Sequence, residues 1–389
     1  MKKILVYSMV AKNLTNLSVT FLFMLCIILF GCDAQQSTKT VFNKIISNVQ
    51  GFGDMLVTTD GGILITGTSY RPIGDSTVDD DIVLTKLTGK GESVWCNEYE
   101  TIDYSGYGQS LLETSDGYVV LAYSSDDTSY EANMMLIKTD KKGNTLWSKT
   151  CYTPSDERVQ AIVSTQDGGF LIAGRIVSKG IYLAKTSSAG DTLWTKTLAS
   201  TDEYTAASMR TTPDNHFVIT GTTNRNGYNQ IYVLKIDDAG NQVEFRIYGE
   251  SGHSTSSYDL AVSDSYVLFG SKDDHPYVVK TSLAGDTLWS RQILAISSQS
   301  IGGAVIVNSE NDIFAVGSNY VDGKEQSFFI KLSSSGELIW SRAFMDSVGY
   351  NLRASKLKPF GDGFLIGGTH FGLDLQCFLI RTDSEGEEF

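Results

Sequence analysis

A ten-residue phrase repeated along the chain constrains the fold more than any other feature of the sequence. It is clearest from Lys185 to Trp194, KTSSAGDTLW. Its glycine recurs at Gly91, Gly143, Gly190, Gly240, Gly285, Gly336 and Gly386. Six intervals cover 295 residues, a period of about 49, which is the length of a stacked structural repeat. Five residues before each glycine stands a cation: Lys86, Lys138, Lys185, Lys235, Lys280, Lys331 and Arg381. Four residues after it, five copies carry tryptophan: Trp95, Trp147, Trp194, Trp289 and Trp340, all the tryptophans in the chain. The fourth copy has Glu244 there with Phe245 next, and the seventh reaches Phe389 first.

A second phrase lies upstream in each repeat, clearest from Asp167 to Gly174 (DGGFLIAG) and nearly the same from Asp60 to Gly67. Between the two phrases the chain reads as short β-rich runs bounded by Gly, Asp and Ser, with no long stretch of helical period. In the third copy the four strands are expected near Val159–Ser164, Phe170–Ala173, Ile181–Thr186 and Thr192–Leu198. We label them a to d. An Asp-Gly-Gly turn joins a to b, because glycine accepts positive φ cheaply. Seven such units imply an all-β, seven-bladed β-propeller with four antiparallel strands per blade. The five tryptophans then read as packing between blades. The recurrent lysine either pairs with the Asp of the a–b turn or is a solvated strand-end cation.

The seventh copy lacks strand d. Thr40 to Ile45 resembles Thr192 to Thr197, with Phe42 in the tryptophan slot, so this N-terminal strand is expected to complete the last blade and close the ring. Thr40 would then enter on the face of the short a–b and c–d turns. That would turn this face toward whatever holds the N-terminus and leave the b–c and d–a loop face free.

The N-terminus explains what would hold it. Lys2, Lys3 and Lys12 precede an apolar run from Phe21 to Phe30, shorter than the roughly 20 residues a spanning helix needs and suited to a signal peptide. The run ends Leu29-Phe30-Gly31-Cys32, which resembles the bacterial lipobox. The resemblance implies cleavage after Gly31 and lipid attachment at Cys32; a plain signal peptide ahead of a chance cysteine is the alternative. The expected domains are a signal peptide over 1–31, a tether over 32–39 and the propeller over 40–389. The net charge is −14, and loss of the three leader lysines takes it to −17. That argues against nucleic acid or an anionic lipid surface as partner. Cys96, Cys151 and Cys377 remain, with neither disulfide nor zinc spacing, and read as space-filling strand residues.

By the repeat register, Tyr104, Tyr107, Asp156, Asp202, Tyr204, His253, Tyr258, His275, Tyr350 and His370 fall on the loop face as candidate ligand contacts. Ordinary polar surface loops are the plainer alternative. The longest b–c loop is expected to hold Asp75, Asp79, Asp80 and Asp81, but the spacing of a calcium loop is missing, and no metal or cofactor is expected. No Gly-x-Ser-x-Gly elbow, phosphate loop or His-Glu-x-x-His is present, so no catalytic residue is assigned and enzymatic activity is left open, with a non-catalytic role favoured.

The two phrases, over about residues 41–389, resemble the β-propeller repeats of secreted bacterial lipoproteins. The Gly-x-x-x-Trp turn is more distantly similar to quinoprotein-like propellers, which include a lipoprotein scaffold of outer-membrane barrel assembly. The vicinal cysteine pair of the quinone-dependent dehydrogenases in that group is missing. Thr139 to Trp147 also resembles the Asp-box of sialidases with one residue extra, without an Arg-Ile-Pro motif, since Arg71-Pro72-Ile73 is scrambled. The repeat, the anchor and the missing catalytic constellation point to a membrane-anchored binding or scaffold protein of the bacterial cell envelope, expected to be monomeric, facing the periplasm or the cell surface, with a protein or glycan partner; a purely structural envelope protein is a further reading. A glycan-active enzyme related to sialidases is the alternative.

Overall fold

The computed structural model describes residues 38–388 apart from 41–43, 74–76, 102–104, 126–131, 152–156, 177–178, 200–203, 298 and 347–348. Cys32 and Phe42 lie outside the described residues. Among the described residues every regular element is a strand.

Two short strands come first, β1 (Thr38–Thr40) and β2 (Lys44–Ile46). Antiparallel units of consecutive strands follow. The first is β3 (Gly51–Val57), β4 (Ile63–Ile73), β5 (Thr77–Leu87) and β6 (Ser93–Tyr99). The second is β7 (Ser105–Thr114), β8 (Gly117–Ser125), β9 (Ala132–Asp140) and β10 (Thr145–Cys151). The third is β11 (Glu157–Ser164), β12 (Phe170–Ile176), β13 (Gly180–Thr186) and β14 (Thr192–Ala199). The fourth is β15 (Tyr204–Thr211), β16 (Phe217–Arg225), β17 (Tyr228–Ile236) and β18 (Gln242–Tyr248). The fifth is β19 (Thr255–Val262), β20 (Ser265–Lys272), β21 (His275–Ser282) and β22 (Thr287–Gln292). The sixth is β23 (Ile301–Val307), β24 (Ile313–Val321), β25 (Lys324–Leu332) and β26 (Leu338–Met345). The last has β27 (Asn351–Phe360), β28 (Gly363–Phe371) and β29 (Leu375–Thr382), with β2 as its fourth strand. A parallel bridge, Asp80 to Ser105, links the first two units.

Strand a of each unit touches strand a of the next, and β27 returns to β3, so the units form a closed cycle. Strands b and c are buried through most of their length, as in β12 and β13. Among the described residues each interface between neighbouring units has its own hydrophobic cluster. A unit alone would leave both apolar faces wet; stacking buries them, at about 1.5–3 kcal/mol per large aliphatic side chain.

The closing strand sits in the expected register. Lys44 pairs with Leu379, Ile45 with Phe378 and Ile46 with Cys377, as Lys196 pairs with Leu183 in the third unit. Ile46 and Val49 join Met55, Leu365, Cys377 and Leu379 in the cluster between last and first units, and the Lys44 ammonium donates to the carbonyl of Gly91. The way in differs from expectation. Thr40 lies not on the closing strand but on β1, which pairs in parallel with the outer edge of β26, Thr40 opposite Met345. Met345 is at the end of β26 that leads to the d–a loop. Thr40 therefore lies toward the d–a loop end of β26 and not on the short-turn face, which overturns the expected orientation.

The two halves of the repeated phrase meet across unit boundaries. A Cβ built on Gly190 would stand 2.5 Å from Trp147 Cζ3, and one on Gly240 2.5 Å from Trp194 Cη2. Gly143, Gly336 and Gly386 face Trp95, Trp289 and Trp340 in the same way. Each tryptophan closes over the c–d turn of the following unit, so tryptophan and glycine recur together. Where Glu244 replaces tryptophan, it pairs with Arg246, and these two side chains cover Gly285.

The strand-end lysines are paired. Lys86 reaches Asp60 (2.7 Å), Lys138 Asp116 (2.6 Å), Lys185 Asp167 (2.9 Å), Lys235 Asp214 (2.6 Å) and Lys331 Asp312 (3.0 Å). Lys280 departs, donating to the Ser334 carbonyl instead. The lysine hydrogen bond, seconded by Thr58, holds Asp60 below its ordinary 3.8; Lys138 does the same for Asp116 and Lys235 for Asp214. A carboxyl whose folded pKa is depressed contributes stability that is complete above the unfolded value and lost as pH falls through the folded one. Stability should therefore hold down to about pH 4 and then decline. Replacing Asp60, Asp116 and Asp214 with Asn should flatten that acid limb, read as the urea midpoint against pH; an unchanged limb would show these pairs to be inert.

Candidate functional site

Each strand a carries one β-bulge against strand b, and all fall at equivalent positions: Gly53, Gln109, Gln160, Ala207, Tyr258, Gly303 and Ser355. A bulge inserts a residue that the ladder does not pair and re-aims its side chain. Because strand a is innermost, these residues form a ring around the central channel, and all of them line a cavity of about 400 Å³ on the loop side. Arg175, Thr205, Phe52 and Lys356 complete its wall. A second cavity, about 430 Å³, opens on the short-turn side and shares Gln160, Ala207, Tyr258, Gly303, Ser355 and Lys356 with the first. The bulge ring is the neck between two mouths.

The residues just past the bulges differ sharply in charge. Asp54, Ser110, Ala161, Ser208, Asp259, Ala304 and Lys356 form one tier, and two residues further on Arg210 and Lys358 stand among Ala261 and Ile306. Asp54 accepts from the amides of Met55 (2.9 Å) and Leu111 (3.1 Å) and from Ser110 Oγ (3.3 Å). Asp259 accepts from the Val305 amide (3.0 Å), Ser208 Oγ (2.7 Å) and Arg210 Nη2 (2.7 Å). Each carboxylate thus ties its strand a to a neighbouring unit. Burial alone would raise Asp54; the Lys356 and Lys358 ammoniums and the two amides outweigh it and hold the carboxyl below its ordinary value. Burial lowers the Lys358 amine, and repulsion from Arg210 and Lys356 adds to this against attraction by Asp54 and Asp259.

The residues expected on the loop face fall into several places. Tyr104, Asp156 and Asp202 lie outside the described residues. Tyr107, Tyr204, Tyr258, His275 and His370 are strand residues rather than loop residues. Tyr107 stacks on Tyr123 and donates to Asp80 (3.0 Å). Tyr204 packs edge-on against Tyr232 and Phe245, which suits a core role. Tyr258 alone of the set reaches the channel, its ring against Gly302 and its hydroxyl 3.2 Å from Ser271 Oγ. His253 is exposed and pairs with Asp273; His275 Nδ1 lies 3.1 Å from the Ile296 carbonyl. Tyr350 and His370 do come together, ring centroids 5.5 Å apart, but His370 is buried against Asp346 (3.3 Å).

The acidic b–c loop is mostly strand. Asp79, Asp80 and Asp81 belong to β5, opposite Arg71, Tyr70 and Ser69, and Asp75 lies outside the described residues. Among the described residues no three His, Cys, Asp or Glu side chains are grouped to hold a metal ion. Cys377 is a core thiol, pushed up by burial, while Cys96 is exposed and so does not fill space. Sequence reasoning missed the buried Glu325, which Arg353 grips with two nitrogens (2.7 and 3.0 Å). It also missed the bulge ring, since glycine, glutamine, alanine, tyrosine and serine share no side-chain chemistry.

No family model and no curated protein matches the chain. Among solved structures, a catalytically inactive virginiamycin B lyase from Staphylococcus aureus, crystallised with quinupristin, superposes with a TM-score of 0.56 at 12% identity, covering 86% of this chain and 98% of its own. The chain is a β-propeller. Sqt1 from Chaetomium thermophilum covers 89% of the propeller chain and 86% of its own length with a TM-score of 0.49 at 13% identity. At 12% identity the likeness to the lyase carries the propeller fold and nothing about a ligand.

Proposed function

We propose that this chain is a lipid-anchored bacterial envelope protein whose seven-bladed propeller binds a protein or glycan partner at the loop-side mouth of its channel, without catalysis. One observation carries the reading. The side chains of Gln109, Gln160 and Arg175 converge on that mouth beside the Tyr258 ring, and none of these side chains has a hydrogen-bond partner among the described residues. Uncommitted amides and a guanidinium next to an aromatic face suit sugar hydroxyls or an extended peptide backbone. Glycoside hydrolysis asks for two carboxyl groups flanking the bond, and no described residue lining this mouth is Asp or Glu. Anchoring rests on the lipobox resemblance at Cys32.

The test is capture of envelope proteins and binding to a glycan array by detergent-extracted protein, wild type against a Gln109→Ala, Gln160→Ala, Tyr258→Ala triple variant. The expected result is a partner whose binding weakens at least tenfold in the variant at an unchanged melting temperature, with no turnover of fluorogenic glycosides. Equal binding by both proteins would remove the loop-side mouth as the site, and turnover would replace binding by catalysis. Cys32→Ala should move the protein from the membrane to the soluble fraction; retention there would remove the anchor.

A further inference from the structure

The short-turn mouth carries charge that the fold does not use. Asp54, Arg210, Asp259, Lys356 and Lys358 line its cavity of about 430 Å³, an excess of one cation on a chain of net charge −14. Both carboxylates are engaged: each accepts three hydrogen bonds and ties neighbouring units together. Arg210 spends its fork on Asp259 and Ser208. Lys356 stands 3.7 Å from Asp54. Lys358 is left over. It is half-buried, and among the described residues it makes neither a hydrogen bond nor an ion pair.

We propose that this mouth is a binding site for an oxyanion group, a carboxylate or a phosphate, with Lys358 as its principal cation. An ammonium offers three N–H donors and no acceptor. Holding one half out of water with no partner is unfavourable, and an anion seated against it removes the penalty. Lys356 and Arg210 flank the same space and add attraction without being free to close the site themselves. The depressed amine is a second sign of the same imbalance, since a bound anion would restore the charged form. The volume suits a small molecule or the charged end of a longer one rather than a polymer. The site lies across the bulge ring from the loop-side mouth, and Lys358 lines only the short-turn cavity, so its replacement leaves the partner site intact.

The experiment is calorimetric titration of the full detergent-solubilised chain with inorganic phosphate and, separately, with acetate, at constant ionic strength set by sodium chloride. Saturable binding of either is expected, weakened at least tenfold by Lys358→Met and kept within about threefold by Lys358→Arg, which retains the charge. Phosphate alone would name a phosphoryl ligand; acetate, with or without phosphate, a carboxylate. No saturable binding of either anion, or equal binding by Lys358→Met, would overturn the proposal. A measurement on the unaltered protein covers misfolding of the variant. Acetic anhydride should label the Lys358 amine, and saturating anion should protect it; labelling untouched by both anions would overturn the proposal as well. Loss of anion binding with intact partner capture at the loop side would strike this inference alone.

Discussion

Deleting residues 40–46 is expected to remove most of the stability of the propeller. The deletion takes away the strand pairing of Lys44, Ile45 and Ile46 with β29, the buried Ile46 side chain and the Lys44 bond to Gly91. Loss of a buried isoleucine costs about 2–5 kcal/mol and each ladder hydrogen bond about 1 kcal/mol. The sum, about 4–7 kcal/mol, is comparable with the whole stability of many domains. It also bares the edge of β29 and opens the cluster around Met55 and Cys377. The measurement is the urea midpoint, with hydrogen exchange at the Leu379 amide, which faces Lys44. A midpoint within error of wild type, or full protection at that amide, would show that the last unit does without its borrowed strand.

The second large effect is a coupling rather than a single loss. Gly190 has φ of 80°, and a Cβ there would stand 2.5 Å from Trp147 Cζ3. Gly190→Ala should cost about 3 kcal/mol, of which about 1–2 is the left-handed backbone and the rest displacement of the indole. Trp147→Ala, at a half-buried site, should cost about 2–3 kcal/mol. With the indole gone, Gly190→Ala should cost only its backbone share, so the double variant falls short of the sum by about 1–2 kcal/mol. Strict additivity in denaturant unfolding would mean that tryptophan and glycine do not act as one joint.

That joint shows what was readable in the chain and what was not. The 49-residue period, the turn glycines and the strand-end lysines lie in plain view because each unit solves the same packing problem with the same residues. Even the borrowed strand could be placed, since Lys44 copies Lys196. The leucines before the tryptophans show the limit of reading by residue type. Leu146, Leu193 and Leu288 are as regular as the indoles, yet each is more than half exposed on the outer strand. The channel was invisible for a related reason. Bulge residues are chosen by position along strand a, not by chemistry, and their side chains run from none at Gly53 to a phenol at Tyr258. Aligning strand a by its distance from the a–b turn would have set Lys356 beside Asp54 and Asp259. Counting loop aromatics led instead to His370 and Tyr204, which the fold uses for packing.

The borrowed strand also sets an order of events during synthesis. Units one to six are each built from neighbouring residues and can pair as soon as they are made. Lys44 to Ile46 emerge early, but their partner β29 is some 330 residues downstream. A ribosome that stops short of Leu375 leaves an arc with two raw ends and an orphan first strand, a species prone to stick to its copies. Synthesis of β29 therefore works as a checkpoint: only a chain translated past Thr382 can lock.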